Sequence, residues 1–176
     1  MNDSLERVRP LIRTRQYRQF TDEPVSDEIL HALTEVARWS GSSRNTQPWR
    51  FIVLRDQSLI RELWQAGVPQ TRSLETATAA IAVSMPQDEG RAAGLAYDEG
   101  RAAERILIAA SMLGIGAGIC WVRADVRPRA AELLGLADDR FVRTIVSIGH
   151  PAPAARAPKS APGQARLPAQ ETVDWR

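Results

Sequence analysis

Two short polar stretches in the first fifty residues hold most of the chemistry legible in this chain. RTRQYRQF, Arg13 to Phe20, sets three arginines within six positions. Arg15 and Arg18 can converge on a phosphate dianion through charge-assisted, forked N–H···O bonds, with Thr14 and Gln16 as neutral donors. A solvated charged loop is the alternative reading of the same residues. The second stretch, SGSSRNTQPW from Ser40 to Trp49, places Ser42, Ser43, Arg44, Asn45, Thr46 and Gln47 in a row. Asn45 and Gln47 each carry donors and acceptors, which suits the edge of a planar heterocycle that alternates the two. A loop bonding to its own backbone is the plainer alternative.

These stretches must be positioned by the elements around them. Ser4 can cap a short helix over residues 5–12, which Pro10 interrupts. Ser26, followed by Asp27 and Glu28, opens a helix in which Ile29, Leu33, Val36 and Ala37 recur at helical spacing as far as Gly41. WRFIVLR at 49–55 reads as a strand, followed by a helix capped by Asp56 and ending at Gly67. AAIAVSM at 79–85 is a nearly all-apolar strand, expected to be buried on both faces. The spacing predicts a long helix from about Tyr97 to Leu113, a strand at 118–123, a helix capped by Asp125 and a strand at 140–149. The alternation of helices and strands indicates a mixed α and β domain with four or five strands. Beyond Gly149 the chain turns Pro- and Ala-rich and reads as an extended arm, whose Trp175 favours docking.

Bulk properties exclude several classes. With 176 residues and 44% apolar content the chain can build one core. Its 23 Lys and Arg against 21 Asp and Glu give a charge of +2, too weak to point to nucleic acid. Cys120 is the only cysteine and there are two histidines, so no intrachain disulfide forms and a metal site is not expected. The first residues hold no apolar signal core, and no window approaches a membrane span, so a cytoplasmic protein without a membrane partner is expected.

The order Arg-x-x-Arg-x-Phe, then DEPVSDEIL, then ARW-x-x-SS-x-N-x-QPWRFIV resembles the FMN-dependent nitroreductase family. LIAASMLGIGAGICWV and IVSIGHP are similar to its long helix, Gly-rich turn and last core strand, so the likeness runs to about Pro151. The resemblance implies an α+β fold: a mixed, mainly antiparallel sheet of four to five strands flanked by helices, in an intertwined homodimer. It makes residues 1–150 the FMN-binding domain and residues 151–176 an arm that docks on the partner subunit.

The resemblance also implies that Thr14, Arg15, Gln16 and Arg18 hold the FMN phosphate. Ser42, Ser43, Asn45 and, more weakly, Gln47 lie by the isoalloxazine and ribityl chain. Gly118, Cys120 and Trp121 present backbone to the ring, and Arg166 with Gln164 completes the phosphate site. Arg44 is a candidate positive field near the flavin. No side chain is catalytic, because the flavin carries the chemistry. The implied reaction is ping-pong: NADH or NADPH reduces FMN, then a small planar acceptor such as a nitroaromatic or quinone enters. A flavin-binding regulatory or storage protein, or a specialised FMN reductase such as a dehalogenase, is the alternative. The chain departs from the family pattern at Thr14 and Gln16, where Arg-Arg-Ser is common, at Gly41 for Pro and at Gln164 for Lys. Glu104 and Arg105 stand in place of a Gln-Asn pair, so the face of the long helix is expected to carry an ion pair, and the chain is short enough to lack a lid.

Overall fold

The computed structural model describes residues 3–157 and 166–176. In chain order it contains α1 (Asp3–Arg13), α2 (Asp27–Arg38), β1 (Arg50–Leu54), α3 (Gln57–Gly67), β2 (Ala79–Pro86), α4 (Ala92–Met112), β3 (Gly116–Trp121), α5 (Arg127–Leu133) and β4 (Arg140–Gly149), with short 3-10 turns between. The strands form one sheet in the order β1-β2-β4-β3, with every pair antiparallel. The mixed α+β architecture expected from the sequence is therefore the one adopted, with β1 and β3 as the two edges.

Local chemistry sets most of the boundaries. Ser26 Oγ accepts from the Ile29 amide at 3.3 Å and opens α2. The Asp56 carboxylate accepts from the amides of Ser58 at 2.8 Å and Leu59 at 3.4 Å, which opens α3. Three expectations differ from what forms. Helix α4 begins at Ala92 instead of near Tyr97, because Leu95 is buried against Trp49, Val83 and Met85 and rewards the extra turn. Asp125 caps nothing: its carboxylate is taken by the Arg123 guanidinium at 2.7 and 3.0 Å, and α5 starts behind Val126 with no side-chain cap. Pro10 lies inside α1, where only three residues follow it.

The sheet is covered on both faces. Leu30, Leu33 and Ala37 of α2 and Ile106, Leu107 and Ala110 of α4 pack on Ile81, Val146 and Ile148. On the other face Ile60 and Leu63 of α3, Leu74, and Ala130 of α5 pack on Ala80, Ala82, Cys120, Val142 and Ile145. Each fully buried Leu or Ile in this arrangement contributes about 1.5–3 kcal/mol. Within α2, Leu30 takes the buried place expected for Val36, which is exposed. The sheet has one irregularity: Val83 pairs with Thr144 and Ser84 with Val142, so Arg143 is an extra residue in β4. Such a bulge re-aims a side chain, here toward α4.

Candidate functional site

The basic segment, residues 14–20, is laid along the open edge of β3. The Tyr17 amide donates to Ala117 O at 2.8 Å, and Gln16 Oε1 accepts from the Ile119 amide at 3.0 Å. Phe20 anchors its end: it is buried, bridges Pro151 and lies so close to Gly149 that a Cβ there would meet its ring at 2.8 Å. Gly118 admits the segment, since a Cβ on it would sit 2.2 Å from Tyr17 O. In an antiparallel edge strand alternate residues turn both backbone groups outward. Residues 117 and 119 do so here, and by the same alternation the Trp121 amide faces the open edge just past the basic segment.

A groove of about 490 Å³ follows, lined by Gln16, Arg18, Arg72, Glu75 and Thr76 and closed by Ala154 and Ala155 of the arm. The Arg18 and Arg72 side chains have no protein partner among the described residues, whereas Thr14, Arg15 and Gln16, expected beside Arg18 at the phosphate, are engaged. Arg15 donates to the carbonyls of Ala155, Arg156 and Ala157 at 3.0, 2.6 and 3.3 Å and lies over the Tyr17 ring at 4.7 Å. It holds the arm. Thr14 Oγ1 donates to Pro10 O at 3.3 Å. Gln164 lies outside the described residues, and Arg166 is exposed in the arm. Two unpaired guanidinium groups beside an outward-facing amide fit a phosphorylated planar cofactor such as FMN, the phosphate taking the forked donors.

Cys120 turns its side chain inward. Its Sγ is 2.9 Å from Ser73 Oγ, and Ser147 Oγ lies 2.9 Å from Ser73 Oγ and 3.0 Å from Gly118 O, either of which can accept its one proton. Burial pushes the Cys120 thiol up, so it stays neutral, and by the same alternation its backbone groups face Ile145 of β4, as those of Gly118 face Ser147. This hydroxyl chain ties β3 to the 3-10 turn Arg72–Glu75 and thereby places Arg72.

The second stretch forms a strained loop on α4. Arg44, Asn45 and Gln47 have φ of 53°, 56° and 46°, a region that costs non-glycine residues of order 1–3 kcal/mol each. The surroundings hold it there. The Ser43 amide donates to both oxygens of Asp98, at 3.2 and 3.1 Å, and the Gln47 amide donates to Ser42 Oγ at 2.9 Å. Arg101 and Arg105 of α4 donate to Gly41 O and Trp39 O at 3.3 and 2.8 Å. The long helix does carry ion pairs, Asp98–Arg101 at 3.8 Å and Glu99–Arg143, and neither uses Glu104 or Arg105. Ser43 Oγ, the Arg44 guanidinium and the Asn45 amide side chain are exposed without a protein partner among the described residues.

One chain does not bring the two stretches together. The loop precedes β1 and the basic segment borders β3, three strand spacings apart, or roughly 14 Å at about 4.8 Å each. Sequence reading missed Arg72 and Asp98. Arg72, a lone arginine in the 3-10 turn Arg72–Glu75, carries no local signal. Asp98 falls three residues after Leu95 and four before Ala102, on the apolar stripe of its helix, where an acid needs a partner. Among the described residues no group of three or more His, Cys, Asp or Glu could hold a metal, and no helix is long and apolar enough to cross a membrane.

Known proteins resemble this chain in sequence and fold. The sequence profile described as Nitroreductase family matches residues 12–85. An Archaeoglobus fulgidus protein, provisionally described as NADH dehydrogenase/NAD(P)H nitroreductase, is 31% identical over 155 residues, covering 83% of this chain and 86% of its own. An FMN-dependent nitroreductase of Clostridium difficile R20291 superposes with a TM-score of 0.81 at 24% identity, over 94% and 96% of the two chains. A Clostridium acetobutylicum structure, provisionally described as an NADH oxidase, gives 0.78 at 25% identity over 93% and 97%.

Proposed function

The chain belongs to the nitroreductase family and is an NAD(P)H-dependent oxidoreductase; on that premise we propose that it holds FMN in the groove between the basic segment and the Arg72 turn. The observation that carries the reading is the pair of unpartnered guanidinium groups, Arg18 and Arg72, facing one groove beside the open edge of β3. Bound FMN supplies the hydride chemistry, with NADH or NADPH and a small planar acceptor such as a nitroaromatic or quinone taking turns at it in ping-pong order. The residues of this chain do the positioning. Arg18 takes the phosphate and Arg72 approaches the ring or phosphate from the opposite wall. The Trp121 amide donates toward the ring edge, and the small Gly118 lets the segment lie close enough for both.

The loop at 42–47 joins the same site from a second copy, because it lies at the far edge of its own sheet. Several surfaces suit such a pairing. Helix α1 buries no residue in its own chain and exposes Leu5, Val8, Leu11 and Ile12, and in the arm Leu167, Val173 and Trp175 are exposed as well. Apolar surface on this scale marks an interface. In such a homodimer Ser43, Arg44 and Asn45 supply polar atoms to the cofactor edge and Arg166 approaches with the arm. The test is FMN affinity by fluorescence quenching. Arg18→Gln and Arg72→Gln are each expected to weaken it about tenfold, the loss of one charge-assisted bond. Wild-type affinity in both variants would overturn the assignment of the groove.

A further inference from the structure

A second cavity, of about 450 Å³, lies between the N-terminal turn of α4, α5 and the start of β4, and three guanidinium groups line it: Arg127, Arg140 and Arg143. Arg143, set there by the bulge, donates through Nε at 2.9 Å and through Nη2 to Oε2 of buried Glu99, so one positive charge is neutralised. Arg140 is held by neutral acceptors only: Ser84 Oγ at 2.9 Å, Ser84 O at 2.6 Å and Pro48 O at 2.9 Å. Arg127 donates Nε to Val122 O at 3.3 Å and keeps both terminal nitrogens without a protein partner among the described residues. The Phe141 ring lies 5.4 Å from its guanidinium carbon. Two acids share the wall. The Asp88 carboxylate is engaged by the Arg91 amide at 3.1 Å, and Glu89 is exposed.

Burial pushes the pKa of Arg127 down, with Arg143 adding to it and Glu99 opposing, and burial does the same to Arg140, with Arg50 adding and Asp139 opposing. Like charges crowded in a partly desolvated cavity are the situation that a bound anion relieves. Leu95, Pro128 and Phe141 offer an apolar wall beside them.

We infer that this cavity is a binding subsite for a small planar organic anion, whose carboxylate or phosphate group is forked by Arg127 beside Arg140 and whose apolar body lies against Leu95, Pro128 and Phe141. It adjoins the proposed flavin strand, since the Arg143 guanidinium lies 5.8 Å from the Trp121 ring. Resting on the flavin reading, the subsite holds the anionic end of an acidic electron acceptor. Binding is measured without turnover, so the two readings fail separately.

The test is isothermal titration of the full chain, as purified, with benzoate, with phenyl phosphate and with benzamide as the uncharged isostere. One of the two anions is expected to bind at least about tenfold more tightly than benzamide, and the tighter of them identifies the headgroup. Arg127→Gln should remove that preference. So should Ala124→Asp, which places an acid on the same wall at an exposed position. Arg18→Gln should leave it intact. Equal binding of the anions and benzamide, anion binding that survives both Arg127→Gln and Ala124→Asp, or anion binding lost only in Arg18→Gln overturns the assignment.

Discussion

Gly118→Ala is the sharpest perturbation of the proposed cofactor groove. A methyl group there would meet Tyr17 O at 2.2 Å and Ser147 Oγ at 3.3 Å. The nearer neighbour is backbone and cannot swing away. If the basic segment retreats, the Tyr17–Ala117 bond at 2.8 Å and the Gln16–Ile119 bond at 3.0 Å are lost. At about 0.5–1.5 kcal/mol each, that costs roughly 1–3 kcal/mol. If the segment stays, the overpacking costs about 1–3 kcal/mol instead. With a backbone oxygen at that distance retreat is the expected route; it displaces Arg18, so FMN binding should weaken together with stability. Urea unfolding should show a lower midpoint at unchanged slope, and flavin fluorescence titration should show the parallel loss of affinity. Gly100→Ala is the control. No atom lies within 4 Å of a Cβ built there, and a helical alanine should raise stability by about 0.5–1 kcal/mol. Stability of Gly118→Ala within about 0.5 kcal/mol of wild type, a change typical of inert surface sites, with FMN affinity unchanged, would refute the reasoning.

Other consequences are equally direct. Asp98→Ala removes two charge-assisted acceptors from the Ser43 amide, a loss of about 1.5–3 kcal/mol; hydrogen exchange in residues 42–47 should accelerate, and unaltered protection would show that the loop is held by something else. Glu35 is held down to about 2 by hydrogen bonds from Arg38 and then Trp39. A depressed carboxylate stabilises the fold above its ordinary value of 4.5, and that contribution is lost as pH falls toward 2. The stability difference between wild type and Glu35→Gln should therefore shrink across that window, and a difference persisting below it would count against the clasp. Cys120, buried with its thiol pKa raised, should resist a thiol reagent at neutral pH until the protein unfolds, whereas immediate labelling would contradict its burial.

Local signals in the sequence were reliable where a residue's role is settled by its neighbours in the chain. Ser26 and Asp56 cap the helices they were expected to cap, and the apolar run at 79–85 is the doubly covered strand that its composition predicts, one residue longer. Asp125 shows the limit of such reasoning, since a guanidinium two residues away competed for the same carboxylate. Long-range geometry was not legible. Arg15 and Arg18 look alike in sequence, yet Arg15 holds the carbonyls of residues 155–157, a contact across 140 positions that no local pattern announces. Arg72 went unnoticed for the same reason: a single arginine in a turn gains meaning only when β3 and the basic segment are laid beside it. The Arg143 bulge likewise arises from the register of β2 against β4, which residue types along one strand do not specify.

We propose a flavin held by Arg18 and Arg72 and reduced by a nicotinamide nucleotide. This is tested most directly by mixing the purified chain with FMN, removing the free cofactor and recording the visible spectrum under argon before and after NADH, and again with NADPH. Retained flavin absorption that bleaches with at least one of the two is the predicted result. Protein that emerges colourless, or yellow protein that neither nucleotide bleaches, would contradict it.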